Sequence, residues 1–234
     1  MADRDVVYGL LGPLTAVRAG EPVAIGGPKE RAVLAQLLAR ANTVVTADAL
    51  IEGVWADAAP RSAQRTLQAY VARLRRALQP AGGPDAILVT AGSGYRLHVT
   101  ADECDALRFE QLARQGAGQL RRSDDGAARS LRQALDLWRG EAFAEFDAVE
   151  CCRAEGRRLG ELRLVALEAR LDADLDAGQA AELVAELELL VAEHPFRERF
   201  WSQLMLELAR NRVTRELTAE ECTRYLGADR CPSG

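Results

Sequence analysis

The chain has 234 residues, of which 48% are apolar and only 5% aromatic, and its formal net charge is −5. This length and apolar content allow one large domain or two small ones, and we expect two. The many alanine, leucine and arginine residues favour helices over an all-β fold. The sequence has no run of eighteen apolar residues and no signal-peptide pattern, so we expect a cytoplasmic protein without a membrane partner.

The charge is unevenly distributed along the chain. Residues 1–100 carry 11 basic and 8 acidic side chains, whereas residues 101–234 carry 19 basic and 27 acidic ones. Screening at physiological salt limits electrostatic interactions to about 8 Å, so a basic helix acts through its own local charge. The overall acidity therefore does not exclude an anionic partner.

The first part of the chain predicts a small sheet followed by two helices. The segment from Val6 to Ile25 is rich in turn residues and indicates three short strands. Pro28 suits the first position of a helix, and apolar residues recur every three or four positions after it. A second helix is expected after Thr46, its predicted N-cap, and ends before Pro60.

The segment from Arg61 to Leu78 predicts a third, basic helix with five arginines and no acidic residue. The apolar residues of this helix fall within one arc of about 100° around its axis, which is predicted to pack in the core. That arc holds Ala63, Leu67, Tyr70, Val71, Leu74 and Leu78. The arginines and the small residues Ala69 and Ala72 fall largely on the opposite side, which suits contact with a phosphate backbone.

We expect the basic helix to divide its polar residues between two tasks. Ser62 is predicted to cap the helix. The first turns present side chains that hydrogen-bond base edges in a major groove, namely Arg61, Gln64, Arg65 and Gln68. The arginines further along suit phosphates, namely Arg73, Arg75 and Arg76. The alternative is a solvated face whose last arginines complement the helix dipole.

The following segment, "ILVTAGSGYRLHV", predicts a β-hairpin with a glycine-rich tip. Arg96 stands beside this tip, where a guanidinium suits a narrow minor groove. A sheet, three helices and a hairpin in this order have the shape of a winged helix. Helix and hairpin together predict double-stranded DNA as the ligand.

From Asp105 to Arg210 the apolar periodicity is almost wholly helical, with joints at Gly126, Gly178 and Pro195 that are typical of a tetratricopeptide-like stack. We therefore expect a mixed, mainly α fold. A winged helix-turn-helix domain with an N-terminal sheet and a hairpin wing covers residues 1–100. An all-α domain covers residues 101–210, and a divergent tail covers residues 211–234.

No pattern of an enzyme, a metal site or a cofactor site stands out. The segment "GGPK" does not match the phosphate-loop motif of nucleotide-binding proteins. His98 and His194 lie far from any cysteine cluster whose spacing would suit a zinc site. We expect no catalytic residue, metal, cofactor or small-molecule ligand. Free thiols are expected at Cys104, Cys151, Cys152, Cys222 and Cys231, and we interpret the adjacent pair as packing residues rather than a redox switch. The tryptophans and phenylalanines after residue 130 are expected in the helical core.

Several segments resemble one family of regulators. "LLGPL", "GGPKERAVLAQLLARANTVV", "ALIEGVWAD", "RTLQAYVARLRRAL" and "GSGYRL" resemble the OmpR-type winged helix of the Streptomyces antibiotic regulatory proteins. "LRQALDLWRGEAFAEF" and "LELLVAEHPFRERFWSQLMLEL" are similar to their bacterial transcriptional activator domain. The resemblance implies a transcriptional activator that binds direct repeats at promoters, pairs as a homodimer on them, and recruits RNA polymerase, in antibiotic biosynthesis or a similar regulon.

The resemblance also implies roles for individual residues. The helix after Ser62 is the recognition helix, and Tyr95 and Arg96 belong to the wing. The loop that faces RNA polymerase contains Trp55, Asp57 and Pro60.

The chain departs from the family after Arg210. The sequence that follows is similar to the C-terminal segment of large actinobacterial tryptophan-aspartate repeat proteins. Thr218 and Glu221 predict a capping box in a short substitute helix. If a missing capping unit exposes Phe200, Trp201 or Leu204, we expect self-association. The alternative function is a helical-repeat protein-interaction module, or a truncated regulator that does not activate.

Overall fold

The computed structural model describes residues 6–79, 87–177 and 180–212. The strands are β1 Val6–Gly9, β2 Thr15–Arg18, β3 Glu21–Pro22, β4 Val45–Thr46, β5 Leu88–Ala91 and β6 Gly94–Leu97. The helices are α1 Pro28–Ala39, α2 Ala47–Trp55, α3 Ala63–Leu78, α4 Asp105–Leu120, α5 Ala127–Leu135, α6 Glu150–Asp176, α7 Ala180–Glu193 and α8 Glu198–Arg212. This order confirms the predicted mixed, mainly α fold.

The first sheet is antiparallel, in the order β1-β2-β3. Val6 pairs with Arg18 and Gly9 with Thr15, and the β2–β3 turn at Ala19 and Gly20 has positive φ at both residues. Val6 and Tyr8 are buried against the core, which follows the period-two alternation of a strand with one covered face. The three strands predicted before Ile25 are thus confirmed.

The helices of the winged-helix part begin where the sequence predicts. Pro28 occupies the first helical position of α1. The Thr46 hydroxyl caps α2 by accepting from the backbone N–H of Ala49 at 3.2 Å. The predicted core-facing arc of α3 is also confirmed. Five of its six residues are buried, and the sixth, Tyr70, is half-buried.

Ser62 does not cap α3 with its side chain, so that prediction is wrong. It stands at the N-cap position, but its φ and ψ of −89° and 8° differ from the extended conformation of a capping serine. Its carbonyl instead accepts from the backbone N–H and the hydroxyl of Thr66, at 2.9 and 3.0 Å. The Ser62 side chain is exposed.

The second sheet has the order β4-β6-β5 and contains the predicted hairpin. Ala91 pairs with Gly94 around the two-residue turn Gly92–Ser93, and Gly92 has a φ of 53°. Strand β4 comes so close to β6 that a Cβ on Gly94 would overlap the carbonyl oxygen of Val45 and lie 2.7 Å from the Cα of Thr46. Only glycine fits at this crossing without a backbone shift.

Gly94→Ala is expected to lower the free energy of unfolding by about 1–3 kcal/mol, because backbone atoms must move to admit the methyl group. A thermal denaturation curve measures the loss. Ser93→Ala, one residue away in the exposed turn, is the matched control and should change stability by less than about 0.5 kcal/mol. Equal midpoints for the two variants would contradict the close approach of β4 and β6.

The start of α4 is tied to the N-terminal sheet through one carboxylate. Asp105 accepts from the backbone N–H groups of Leu10 and Leu11, at 2.7 and 3.2 Å, and from the Arg139 guanidinium at 3.2 Å. Burial raises the pKa of Asp105, while these donors oppose the rise. A parallel bridge between Tyr8 and Cys104 lies beside this contact. The winged-helix part and the first helices after it therefore share one core.

The remaining helices follow the predicted pattern. Helices α4 and α5 pack on each other, as do α7 and α8. By Cα proximity the chain forms two compact units, Met1–Arg170 and Leu171–Gly234, and the division falls inside α6. The boundary expected at residue 100 stays a prediction. Gly178, the capping box at Thr218 and Glu221, the cysteines at 222 and 231, and the tail from 213 lie outside the described residues.

Half of the six aromatic residues predicted in the helical core are buried there. Phe143, Phe146 and Phe200 lie in the core, and Trp138 is half-buried with its ring edge-on to Phe109 at 5.2 Å. The prediction is wrong for Phe196, which is 97% exposed because it lies in the turn between α7 and α8, and for Trp201, which is exposed. Phe200 and Leu204 are buried.

Within the described residues, no helix has both the length and the apolar content that crossing a membrane requires.

Candidate nucleic-acid interface

Helix α3 presents a polar face opposite its buried stripe. Arg65 and Arg76 lie on this face, with the small exposed residues Ala69 and Ala72 between them, and Arg61 lies just before the first turn. Gln64 and Gln68 are exposed beside them. In the part of the chain that the structure describes, Arg61, Arg65 and Arg76 have no ion pair or hydrogen bond. Their guanidinium groups are available to a ligand.

Arg73 is occupied by a contact with another helix. Its guanidinium forms an ion pair with Glu30 of α1 and lies over the Tyr70 ring, 5.1 Å from the centroid. About half of its side chain remains exposed. This pair joins the exposed edge of α3 to α1, so Arg73 holds the helix in place rather than standing free for a phosphate.

Arg75 is not on the exposed face, contrary to the prediction. Its Nε donates to the carbonyl oxygen of Leu88 at 2.8 Å, and its Nη2 donates to the Thr90 hydroxyl at 2.7 Å. The guanidinium also lies 5.8 Å from the centroid of the Tyr95 ring. The position of Arg75 on the flank of α3 brings it against the hairpin. Arg75 thus connects the helix to the wing.

Arg18 fixes the end of α3, a role that the sequence analysis missed. From β2 it donates to the carbonyl oxygens of Ala77 and Leu78, at 3.0 and 2.6 Å. A cation here satisfies terminal carbonyls and complements the negative end of the helix dipole. No local signal in the sequence announces this contact, because Arg18 is 59 residues from Ala77.

The two wing residues point to opposite faces of the hairpin, since side chains alternate along a strand. Tyr95 shares a face with the buried Leu97, next to Arg75. Arg96 lies on the other face, half-buried, where its Nε contacts Nε2 of His98 at 3.1 Å. The exposed tip is formed by Gly92 and Ser93. Arg96 is therefore the wing residue with a cation facing away from the core.

The loop predicted to face RNA polymerase is anchored by its first residue. Trp55 stacks on Tyr70 with ring centroids 5.9 Å apart, and the Lys29 ammonium lies 5.0 Å from the Trp55 centroid. Asp57 and Pro60 are exposed. Trp55 thus holds the loop against α3, and Asp57 and Pro60 form its accessible part.

The described residues contain no group of three or more metal-ligating side chains. The structure brings three features together. They are an exposed cationic face of α3, a hairpin joined to that helix by Arg75, and a loop packed on the same helix through Trp55. A helix and a hairpin in this arrangement define a winged-helix transcriptional regulator.

Comparison with known proteins agrees with this class. The family model described as "Transcriptional regulatory protein, C terminal" matches residues 20–97, and the model described as "Bacterial transcriptional activator domain" matches residues 104–220. The chain belongs to the Streptomyces antibiotic regulatory protein family of transcriptional regulators.

The relatives differ in length. Regulatory protein DnrI of Streptomyces peucetius is 39% identical over 209 residues, which are 86% of this chain and 77% of DnrI. Regulatory protein AfsR of Streptomyces coelicolor is 41% identical over 226 residues, 95% of this chain but only 22% of AfsR. A solved structure of Mycobacterium tuberculosis EmbR in complex with a low-affinity phosphopeptide matches with a TM-score of 0.82 and 32% identity, covering 98% of this chain and 62% of that chain.

Proposed function

We propose that the chain binds promoter DNA sequence-specifically, with α3 in the major groove and the hairpin on the adjacent groove. The observation that carries this proposal is the exposed face of α3, on which Arg65 and Arg76 have no described partner while Arg18, Arg73 and Arg75 hold the helix. Contacts on both flanks and at the end fix this helix while one of its faces stays exposed. Such a helix suits a rigid element that contacts the base edges of DNA.

The exposed residues divide into base-reading and phosphate-binding groups. Gln64, Arg65 and Gln68 lie in the first turns, where a recognition helix meets base edges, and Arg61 precedes them. Arg76 lies in the last turn and suits a phosphate. Ser62, exposed beside Arg61, makes no side-chain hydrogen bond to the described residues, and its hydroxyl can contact the backbone of the duplex. Arg73 and Arg75 serve as positioning residues for this face.

Activation is the second part of the proposal. Protomers on direct repeats would pair, and the loop containing Asp57 and Pro60 would contact RNA polymerase. Binding of the regulator would then raise the effective concentration of RNA polymerase at the promoter and so increase transcription. The exposure of Asp57 and Pro60 supports this role for the loop. The family suggests promoters of secondary metabolism as targets.

Salt dependence tests the proposal directly. Fluorescence anisotropy of a labelled duplex from the neighbouring promoter, titrated at several salt concentrations, is expected to give a log–log slope of about −3 to −4, since each cation that neutralises duplex charge contributes about −0.9. Four arginines are expected to do so, Arg76 at the backbone and Arg61, Arg65 and Arg96 in the grooves. A scrambled duplex is the control for specific binding. A slope shallower than about −1 would exclude DNA binding through this face.

A second candidate is the protein-interaction module. The second unit exposes Leu189, Phe196 and Met205, more apolar surface than a pair of solvated helices needs. If the chain binds no duplex in the anisotropy titration, this function becomes the better explanation.

A further inference from the structure

Two basic side chains lie side by side on the outer face of the wing. Arg96 belongs to β6, and His98 follows this strand, where its backbone N–H still donates to the carbonyl oxygen of Ile87 at 2.8 Å. Side chains two positions apart in an extended chain share one face. Arg96 is half-buried and His98 is exposed, so the pair lies on the face that points away from the core.

The hydrogen bond between these side chains requires a neutral histidine. Arg96 Nε donates to Nε2 of His98 at 3.1 Å. A guanidinium has no acceptor, so Nε2 accepts through its lone pair and the ring carries its proton on Nδ1. A protonated imidazole has an N–H at both nitrogens and cannot accept. Protonation of His98 therefore breaks this bond and places a second positive charge against the guanidinium.

The strands beside this pair present apolar side chains to it. Val89 of β5 pairs with Arg96, and the register of β4 places Val44 on the other side of Arg96. Among the described residues, the contact between Arg96 and His98 is the only hydrogen bond or ion pair that either side chain makes. The orientation of the arginine therefore depends on the histidine.

Charged groups on the neighbouring elements are engaged elsewhere or make no contact with the pair. Arg75 contacts the opposite face of the hairpin, and Arg40, at the end of α1, has no hydrogen bond or ion pair with either side chain. Asp102 pairs with an arginine of α4, and the Glu103 carboxylate accepts from a backbone N–H of its own turn. Asp85, before β5, lies outside the described residues.

The contact with His98 uses one of the five N–H donors of the Arg96 guanidinium. The donors on Nη1 and Nη2 have no partner among the described residues. A narrow minor groove attracts such a guanidinium through its negative potential. A side chain that is already held in place loses less conformational entropy when it binds. The bond to His98 therefore prepares Arg96 for a groove of the right width.

We propose that His98 is the positioning residue of the wing, which holds Arg96 ready for a narrow minor groove when neutral and releases it when protonated. This inference rests on the proposed function, because it assumes that the hairpin meets DNA. Protonated His98 adds a charge that attracts the phosphates of any sequence, whereas the released arginine discriminates less between sequences. Lower pH should therefore strengthen binding to all duplexes and narrow the preference for the specific one.

Nuclear magnetic resonance tests the contact without DNA, so this measurement can fail independently of the proposed function. The chain has only two histidines, His98 and His194, whose ring-nitrogen signals can be assigned by substitution. At about pH 8 the His98 ring should carry its proton on Nδ1, because the hydrogen bond at one ring nitrogen sets which nitrogen is protonated. Arg96→Ala should shift His98 toward the other tautomer and leave His194 unchanged. Identical His98 signals in the two proteins would overturn the proposal.

Anisotropy titrations at about pH 8 and about pH 5.8 test the effect on DNA binding, since an imidazole changes its charge between about pH 5 and 8. For the wild-type chain, the ratio of the Kd for a scrambled duplex to that for the promoter duplex should fall by a factor of about 2 to 10 at the lower pH, the range expected for the loss of one hydrogen bond. The salt slope should steepen by up to about 0.9, the contribution of one added cation. An unchanged ratio would exclude the positioning role. If the wild-type chain binds no duplex at either pH, the proposed function fails and this inference fails with it, even where the ring-nitrogen signals show the contact.

Three variants separate positioning from a merely structural role. His98→Gln keeps an acceptor for Arg96 and never gains a charge, so its ratio should stay at the wild-type value for the higher pH under both conditions. His98→Ala removes the acceptor, so its ratio should be low at both pH values without a steeper salt slope. His194→Gln is the matched control and should keep the wild-type pH dependence. Circular dichroism verifies that each variant folds. A ratio that still falls with pH in His98→Gln, or equal ratios for His98→Gln and His98→Ala, would contradict the assignment.

Discussion

Arg65→Ala is expected to weaken binding to the specific promoter duplex by about 1–3 kcal/mol, roughly a 5- to 160-fold rise in Kd. Arg65 lies in the first turn of α3, exposed and without a described partner, where a guanidinium can bond both acceptors of a guanine edge. The same variant should lose much less affinity for a scrambled duplex. Anisotropy titrations with both duplexes at one salt concentration give the ratio.

Two further arginines of the same helix serve as matched controls. Arg76→Ala should weaken binding to both duplexes alike and reduce the salt slope by about 1, as expected for a phosphate contact. Arg73→Ala should leave the salt slope unchanged, because its guanidinium already pairs with Glu30. Equal losses with an unchanged slope for all three variants would refute the assigned roles.

Asp105→Ala is expected to lower the free energy of unfolding by about 3–5 kcal/mol, because it leaves an arginine and two buried backbone N–H groups without their acceptor, and each unpaired buried N–H group costs about 1–3 kcal/mol. For a chain of this size the melting temperature should fall by roughly 6–20 °C. The three donors are Leu10, Leu11 and Arg139. A thermal melt followed by circular dichroism measures the effect.

Asp102→Ala is the control for this second prediction. Asp102 also pairs with an arginine, Arg108 at 2.9 Å, but its side chain is 74% exposed. Solvent screens such a pair, so its loss should cost less than about 1 kcal/mol. If Asp105→Ala melts at the same temperature as Asp102→Ala, the carboxylate does not hold the sheet to α4.

Much of the winged helix could be predicted from local patterns. The apolar arc of α3, Pro28 at the start of α1 and Thr46 as the cap of α2 depend on neighbours within a few positions. The role of Ser62 could not be predicted, because a capping hydrogen bond also needs the right backbone angles at the N-cap. Composition alone does not determine those angles.

The site was predictable only as a set of candidates. The five arginines between Arg61 and Leu78 look alike in sequence, yet two of them have partners elsewhere in the chain. Glu30 is 43 residues from Arg73, and Leu88 is 13 residues from Arg75. A periodic pattern shows which face of a helix is polar but not which charges on that face are already neutralised.

Local patterns suffice for the order of the elements, the buried face of α3 and the excess of cations on its other side, because hydrophobic periodicity and turn residues act over a few positions. The folded chain was needed to show which cations stay available, how Arg18 holds the end of α3, and how Asp105 ties the start of α4 to the first sheet. These outcomes depend on distances between residues far apart in the chain, and electrostatic and hydrogen-bond energies fall too steeply with distance to be assigned before the fold brings the groups together.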